Sequence, residues 1–419
     1  MASNSAMTRM TKAHAPSPIN CLPNKLLLKI FALSTIGTNG TYFPFLVATI
    51  CHHWHSLSIN NAGLWTSLTL TPMAEVPPLS SDSPSDPRAI FPRLSLILER
   101  SANRDIDFSI LPYGERADSF TDAHFAVLSS LLTKHAHRIR SFNAKAHNWP
   151  ELTCLCKELA FVEMPRLEKW IVVSNVDLVY EDKYDEAHPV DDISVLGYVF
   201  DSGSKPVPTH ELKWSGTHLY PALTGVIIIG VPVAWSHFSA SNLRKLVLEK
   251  YPLDHRMMMQ TLHGILSNSK DTLESLTLNW AVASEVDWAR NRLLLKHLTL
   301  PRVNDLGMGY IDAQEACQVF QTFEFPALYK LKLRSLDEGI DSSTILIDMM
   351  KYLPLEQLEK LDLLKIRFPP GGFPNRNLVK NGSIAEESLP LLLQFIRRLV
   401  RVHELGISTC SDTHTLVIV

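Results

Sequence analysis

Apolar positions between Leu26 and Leu57 recur every three or four residues, the spacing that lines one face of a helix. Leu26, Leu27, Ile30 and Phe31 predict a first helix, with Pro23 placed where a first turn tolerates proline. The Gly- and Thr-containing residues 34–41 break it. Pro44 then opens a second helix whose stripe is Leu46, Val47, Ile50, Trp54 and Leu57, and a short third segment carries Leu64, Trp65 and Leu68. Three short helices in so few residues make a small core, and such a unit gains from a partner that covers its apolar surface.

Further along, the period changes. Six segments match L-x-x-L-x-L, with Val or Ile allowed: Leu243-Leu246-Leu248, Leu273-Leu276-Leu278, Leu295-Leu298-Leu300, Leu328-Leu331-Leu333, Leu358-Leu361-Leu363 and Val402-Leu405-Ile407. Looser matches precede them at Leu167-Trp170-Val172 and Leu223-Val226-Ile228, and a more distant one at Ile139-Phe142-Ala144. Residues two apart on a strand face the same way, so the last two apolar positions of each segment enter one core. Between the segments lie helical stripes: Leu262, Ile265 and Leu266; Ile345, Ile347 and Met350; Leu389, Leu392, Phe395 and Leu399. A strand–helix unit cannot bury its apolar face alone, so neighbours must stack. The expected fold is α/β: a helical module followed by an irregular leucine-rich-repeat-like solenoid. Arg244, Glu274, Lys296, Tyr329 and Glu359 are expected to point off its strands.

The expected division is a flexible tail at 1–18, a helical module at 19–68, a Pro- and Ser-rich linker at 69–92, and the solenoid at 93–419. Residues 181–192 hold six acidic groups and one lysine, the composition of an exposed loop. The last residues, 416–419, are apolar and strand-like.

Composition narrows the function. The chain has 419 residues, 46% of them hydrophobic, and 40 Lys and Arg nearly balance 43 Asp and Glu for a net charge of −3. That balance gives no general attraction to nucleic acid or anionic membrane. The longest apolar run, residues 226–233, is broken by Gly230 and Pro232, so no membrane span is expected. Six scattered cysteines and no apolar leader fit reduced thiols in the cytoplasm or nucleus.

The stretch from Leu22 to Trp65 resembles an F-box. Leu22-Pro23 matches that family's opening, Ile30-Phe31 the end of its first helix, Ile50-Cys51-x-x-Trp54 its second helix, and Leu64-Trp65 its close. The family usually has a Glu soon after the Pro, where Asn24 and Lys25 stand here. The resemblance implies a substrate-recognition subunit of an SCF-type ubiquitin ligase. The module would dock a Skp-type adaptor of a cullin-RING ligase, and the repeats would bind a protein target. Adaptor binding would fall to Leu22, Pro23, Leu26, Ile30, Phe31, Leu46, Val47, Ile50, Cys51, Trp54, Leu57, Leu64 and Trp65. Large aromatic groups (Phe31, Phe45, Trp54, Trp65) exceed what so small a unit is expected to hide, which favours a docking role. The alternative is a repeat-based scaffold that joins no ligase.

No enzyme motif stands out: G-x-S-x-G, a P-loop, H-E-x-x-H and G-x-G-x-x-G are all absent, and no cofactor or metal is expected. His52, His53 and His55 bracket Trp54 without nearby acidic ligands, and read as polar residues on an exposed helix side. Lys134, His135, His137, Arg138 and Arg140 form a basic knot, read as a solvated helix end. Cys154 and Cys156 lack metal spacing and read as buried thiols. Asp105 and Asp107 would share a strand face but define no reaction.

Overall fold

In the computed structural model the described residues are 18–35, 40–71, 87–111, 120–146, 155–156, 158–159, 161–174, 212–213, 219–231, 233–235, 238, 240–251, 255–283, 288, 295–310, 312–335, 343–364, 366 and 391–408. The tail, most of the linker, the acidic run 181–192, Cys154, Leu389 and the apolar end 416–419, each given an expectation above, lie outside them.

The chain is a mixed α/β protein and falls into two compact units. One is Met1–Thr69 with Leu96–Arg104, and the other is Leu70–Ser95 with Asp105–Val419. Leu96–Arg104 thus cluster with the first unit.

The first unit holds α1 (Asn24–Ser34), α2 (Phe43–Ile50) and α3 (His52–Ile59), then a 3-10 turn at Ala62–Trp65. The expected single second helix is two. Cys51 is extended, with φ −159° and ψ 165°, and ends α2 while capping α3. Short helices follow at α4 (Pro87–Ile90) and α5 (Pro92–Arg100), and the boundary between the units runs through α5.

The second unit is built on one sheet. β1 (Ser67–Leu70) lies at the unit boundary, and the strands of the second unit are β2 (Ile106–Ile110), β3 (Ile139–Ala146), β4 (Lys169–Ser174), β5 (Gly225–Ile229) and β6 (Lys245–Glu249). They continue with β7 (Ser275–Asn279), β8 (Asp305–Tyr310), β9 (Lys330–Ser335), β10 (Lys360–Leu364) and β11 (Glu404–Ser408). Among the described residues the ten strands β2 to β11 lie side by side in chain order, open rather than closed into a barrel, and their pairings are all parallel. Helices precede several strands: α6 (Asp122–His135) before β3, α7 (Met259–Asn268) before β7, α8 (Ala313–Thr322) before β9, α9 (Ser343–Tyr352) before β10 and α10 (Leu391–Arg398) before β11. Successive helices α8, α9 and α10 pack on one another.

The register explains the leucine pattern. One column of paired residues runs Phe108, Phe142, Trp170, Val226, Leu246, Leu276, Leu306, Leu331, Leu361 and Leu405. Except for the half-buried Leu405 these side chains are fully buried, and the aromatic end stacks with ring centroids 5.9 Å (Phe108–Phe142) and 4.7 Å (Phe142–Trp170) apart. Each buried side chain contributes roughly 1.5–3 kcal/mol, which makes the column the main support of the sheet. The distant match Ile139-Phe142-Ala144 belongs to it, with all three residues buried.

One repeat assignment is corrected. Leu298–Thr299 pairs with Phe323–Glu324 in a separate two-stranded sheet, and the column position belongs to Leu306, preceded by buried Val303 and followed by Met308. On α9 the buried stripe is Ile345, Leu346 and Met349, whereas Ile347 is exposed. Arg244, Glu274, Tyr329 and Glu359 sit one residue before their strands; the residues that face away from the column at those strand starts are Lys245, Ser275, Lys330 and Lys360.

The exits of β5, β6 and β7 repeat as well. Gly230, Lys250 and Trp280 have φ of 65°, 62° and 55°. Each donates its N–H to the next strand, to Glu249 O (2.9 Å), Asn279 O (2.8 Å) and Gly309 O (3.1 Å). Only glycine adopts this left-handed backbone without cost. Lys250→Gly is therefore expected to stabilise the chain by about 0.5–1 kcal/mol, read as a higher urea midpoint at unchanged slope.

Candidate functional site

The first unit closes on aromatic rings. Phe31 from α1 lies 4.9 Å from Trp54 of α3 and 6.2 Å from Phe43 of α2, centroid to centroid. Trp65 meets Phe45 edge-on at 5.0 Å, donates its indole N–H to Ser58 O (2.9 Å), and carries the Arg100 guanidinium over its ring at 4.5 Å. Ser58 in turn donates to Pro44 O at 3.0 Å, which ties α3 to the start of α2. Short segments with no acidic N-cap depend on such ties, since three helices of eight to eleven residues have little intrinsic stability.

With the rings inside, aliphatic residues are left outside. On α1, Leu26 (49% exposed), Ile30 (42%) and Leu33 (61%) follow one another at spacings of four and three, so they share a face. On α2, Leu46 (60%) and Ile50 (55%) do the same. Their neighbours Leu27, Phe31 and Val47 turn inward and are buried. Scattered exposed leucines mean little, whereas stripes at helical period on two helices of one small unit are what an interface needs.

The structure sorts the thirteen expected adaptor-binding residues into three groups. Pro23, Leu26, Ile30, Leu46 and Ile50 are exposed; Leu22, Cys51 and Leu57 are half-buried; Phe31, Val47, Trp54, Leu64 and Trp65 are core. Of Phe31, Phe45, Trp54 and Trp65, the four large aromatic groups expected to exceed what the unit can hide, ring-on-ring packing buries three, and Phe45 is half-buried against Trp65. Leu33 and Ile19, both exposed, were not anticipated, although the spacing Leu26-Ile30-Leu33 was there to be read.

The remaining candidates resolve separately. His52, His53 and His55 are exposed, and the His55 ring Nδ1 lies 2.9 Å from Ala48 O. Asp107 pairs with Arg140 and Asp105 with Arg166 at the surface. Cys156 is fully buried, and burial pushes its thiol far above the ordinary range. Among the described residues no group of three or more His, Cys, Asp or Glu side chains is placed to hold a metal ion.

The basic knot has its own chemistry. Burial first, then the nearby Arg138, His137 and Lys134, lowers His135 from 6.5 to about 4. Arg138 is itself buried, and its guanidinium lies 3.3 Å from His135 Nδ1. Between those two pH values the unfolded chain binds a proton that the fold does not, so stability is expected to fall as pH drops from about 6.5 toward 4. A histidine-selective NMR titration should find this ring neutral at pH 5.5; a midpoint near 6.5 would contradict the environment described.

No model of a known protein family matches the chain, and no curated protein matches it. No helix among the described residues is long and apolar enough to cross a membrane.

Proposed function

We propose that this chain is the substrate-recognition subunit of an SCF-type ubiquitin ligase. Its first unit is read as an F-box-like module that docks a Skp-type adaptor, which links it to a cullin-RING ligase. Its second unit is read as a leucine-rich-repeat-like solenoid that binds a protein target. The observation that carries the reading is the pair of exposed aliphatic stripes, Leu26-Ile30-Leu33 and Leu46-Ile50, on a unit that already buries Phe31, Trp54 and Trp65. The chain-ordered parallel strands and their continuous leucine column support the solenoid half, since stacked strand–helix repeats produce that order.

Co-expression of the full chain with a Skp-type adaptor tests the reading. Co-elution in size-exclusion chromatography is expected; separate elution of two folded proteins rejects it. One observation favours a scaffold without ligase association. The first turn of α1 carries no acidic residue and presents Lys25, a charge unfavourable at a helix N-terminus. Separate elution would leave that second reading standing.

A further inference from the structure

The sheet face opposite the leucine column is not uniform. On β7 to β11 it carries Ser275, Thr277, Gly307, Lys332 and Asp362, small or charged residues, with Leu364 at the end of β10 the large apolar exception. On β4, β5 and β6 it carries Ile171 and Val173, Ile227 and Ile229, and Val247. The register sets them in two adjoining rows, Ile171-Ile227-Val247 and Val173-Ile229. These three strands are therefore apolar on both faces, the pattern of strands covered on both sides.

Charge marks the border of that patch. Lys169 and Lys245 stand at the strand starts on either side of Gly225, two strand steps or about 10 Å apart. Lys145 stands beside Val173 on β3. No carboxylate among the described residues forms an ion pair with any of the three, whereas Asp305 holds Lys330 (3.1 Å) and Glu404 holds Lys360 (2.8 Å) elsewhere on the sheet. Glu249 is the single carboxylate within the two rows. Gly225 leaves the gap between the two lysines open, since a Cβ there would meet only Lys169 Cγ at 3.6 Å and Glu168 O at 3.9 Å.

We propose that this face of β4–β6 is where the second unit takes its target, and that the target is a protein segment presenting aliphatic side chains beside carboxylates. The inference rests on the reading of the second unit as a target-binding domain. The half-buried Ile171, Val173, Ile227 and Ile229, flanking the already buried Val247, supply further burial, and the lysine border selects sign, because like charges brought against it are repelled while acidic ones are steered in. A second copy of this chain is disfavoured as the occupant: two such faces brought together would set lysine border against lysine border.

Fluorescence anisotropy on the full chain tests it, using a labelled fifteen-residue peptide of alternating Ile/Val and Asp/Glu. Two control peptides replace either the acids by Lys or the aliphatics by Ser. The acidic aliphatic peptide is expected to bind at least tenfold tighter than both. Ile227→Ser with Ile229→Ser should weaken it at least tenfold, and Lys169→Glu with Lys245→Glu should reverse the preference toward the lysine peptide. Charge reversal leaves the core column intact, so that arm reports even if the serine variant misfolds. Absence of binding, binding indifferent to both variants, or equal variant-sensitive binding to vesicles with 30% phosphatidylserine overturns the proposal. So would a loss of thermal stability in the variants without peptide binding to wild type, the mark of a face already covered by this chain itself. Ile30→Asp with Ile50→Asp serves as the control for the other unit: it should leave peptide affinity unchanged, which separates failure here from failure of adaptor docking.

Discussion

Ile30→Asp combined with Ile50→Asp should remove measurable adaptor binding while the circular dichroism spectrum stays that of the wild type and the thermal midpoint moves by no more than about 3 °C. Both side chains are close to half exposed, so a carboxylate at either site remains in water in the free chain and costs the fold little. Covered by a partner, the same carboxylate loses its hydration without gaining an opposite charge. Truncating one central anchor of an interface costs about 2 kcal/mol or more, roughly thirtyfold in affinity, and two anchors replaced by charge should exceed a thousandfold. Isothermal titration of each variant with purified adaptor measures this directly. Affinity within tenfold of wild type would remove Ile30 and Ile50 from the interface.

Trp65→Ala should unfold the first unit. The ring is fully buried, and its removal empties a site bounded by Phe45 and Arg100 while leaving Ser58 O without its indole donor. Large-to-small replacement of a buried tryptophan costs about 3–5 kcal/mol, and the lost hydrogen bond adds about 1. A unit this small has little more stability than that to lose. The expected result is rapid proteolysis within residues 18–71 at 25 °C, with adaptor binding abolished through loss of fold. Trp65→Phe should recover part of both. A cost below about 1 kcal/mol in guanidinium unfolding would mean that Trp65 is not the keystone described. The contrast with Ile30 and Ile50 matters: adaptor binding disappears in both cases, yet only one protein remains folded.

Much of the parallel sheet could be read from the chain because a fixed pattern, L-x-x-L-x-L, places three side chains into one core in most of the segments that carry it. The pattern misled at Leu295-Leu298-Leu300, which fits the spacing but pairs elsewhere. The true column strand, β8, reads Asp-Leu-Gly-Met-Gly-Tyr, and its two glycines resemble turn residues to any local rule. Only the neighbours reveal their role: Thr277 and Asn279 fill the space a Cβ would need at Gly307 and Gly309, at 3.1 and 2.7 Å. The break at Cys51 was hidden for a different reason. Leu46, Val47, Ile50, Trp54 and Leu57 keep their helical spacing straight through it, so periodicity has nothing to register.

In the first unit the helical stretches were legible apart from the break at Cys51, but the inside and outside were not. Size alone suggested that the aromatic residues would be left over for a partner. Edge-on and tilted ring contacts pack them more tightly than a count of residues implies, and the leftover apolar surface is aliphatic instead. Long-range pairing of rings from α1, α3 and the 3-10 turn cannot be seen in any local window. The twin stripes that result were visible in part, as Leu26 with Ile30 and Leu46 with Ile50, but nothing in the spacing said which neighbour of each pair would face water.

Hydrogen–deuterium exchange of the full chain, with and without a Skp-type adaptor, tests the central claim most directly. Slowed exchange confined to the amides of α1 and α2, greatest across residues 26–33 and 46–50, is the expected result. Unchanged exchange in those two helices at saturating adaptor, or slowing found only in the parallel sheet, would contradict it.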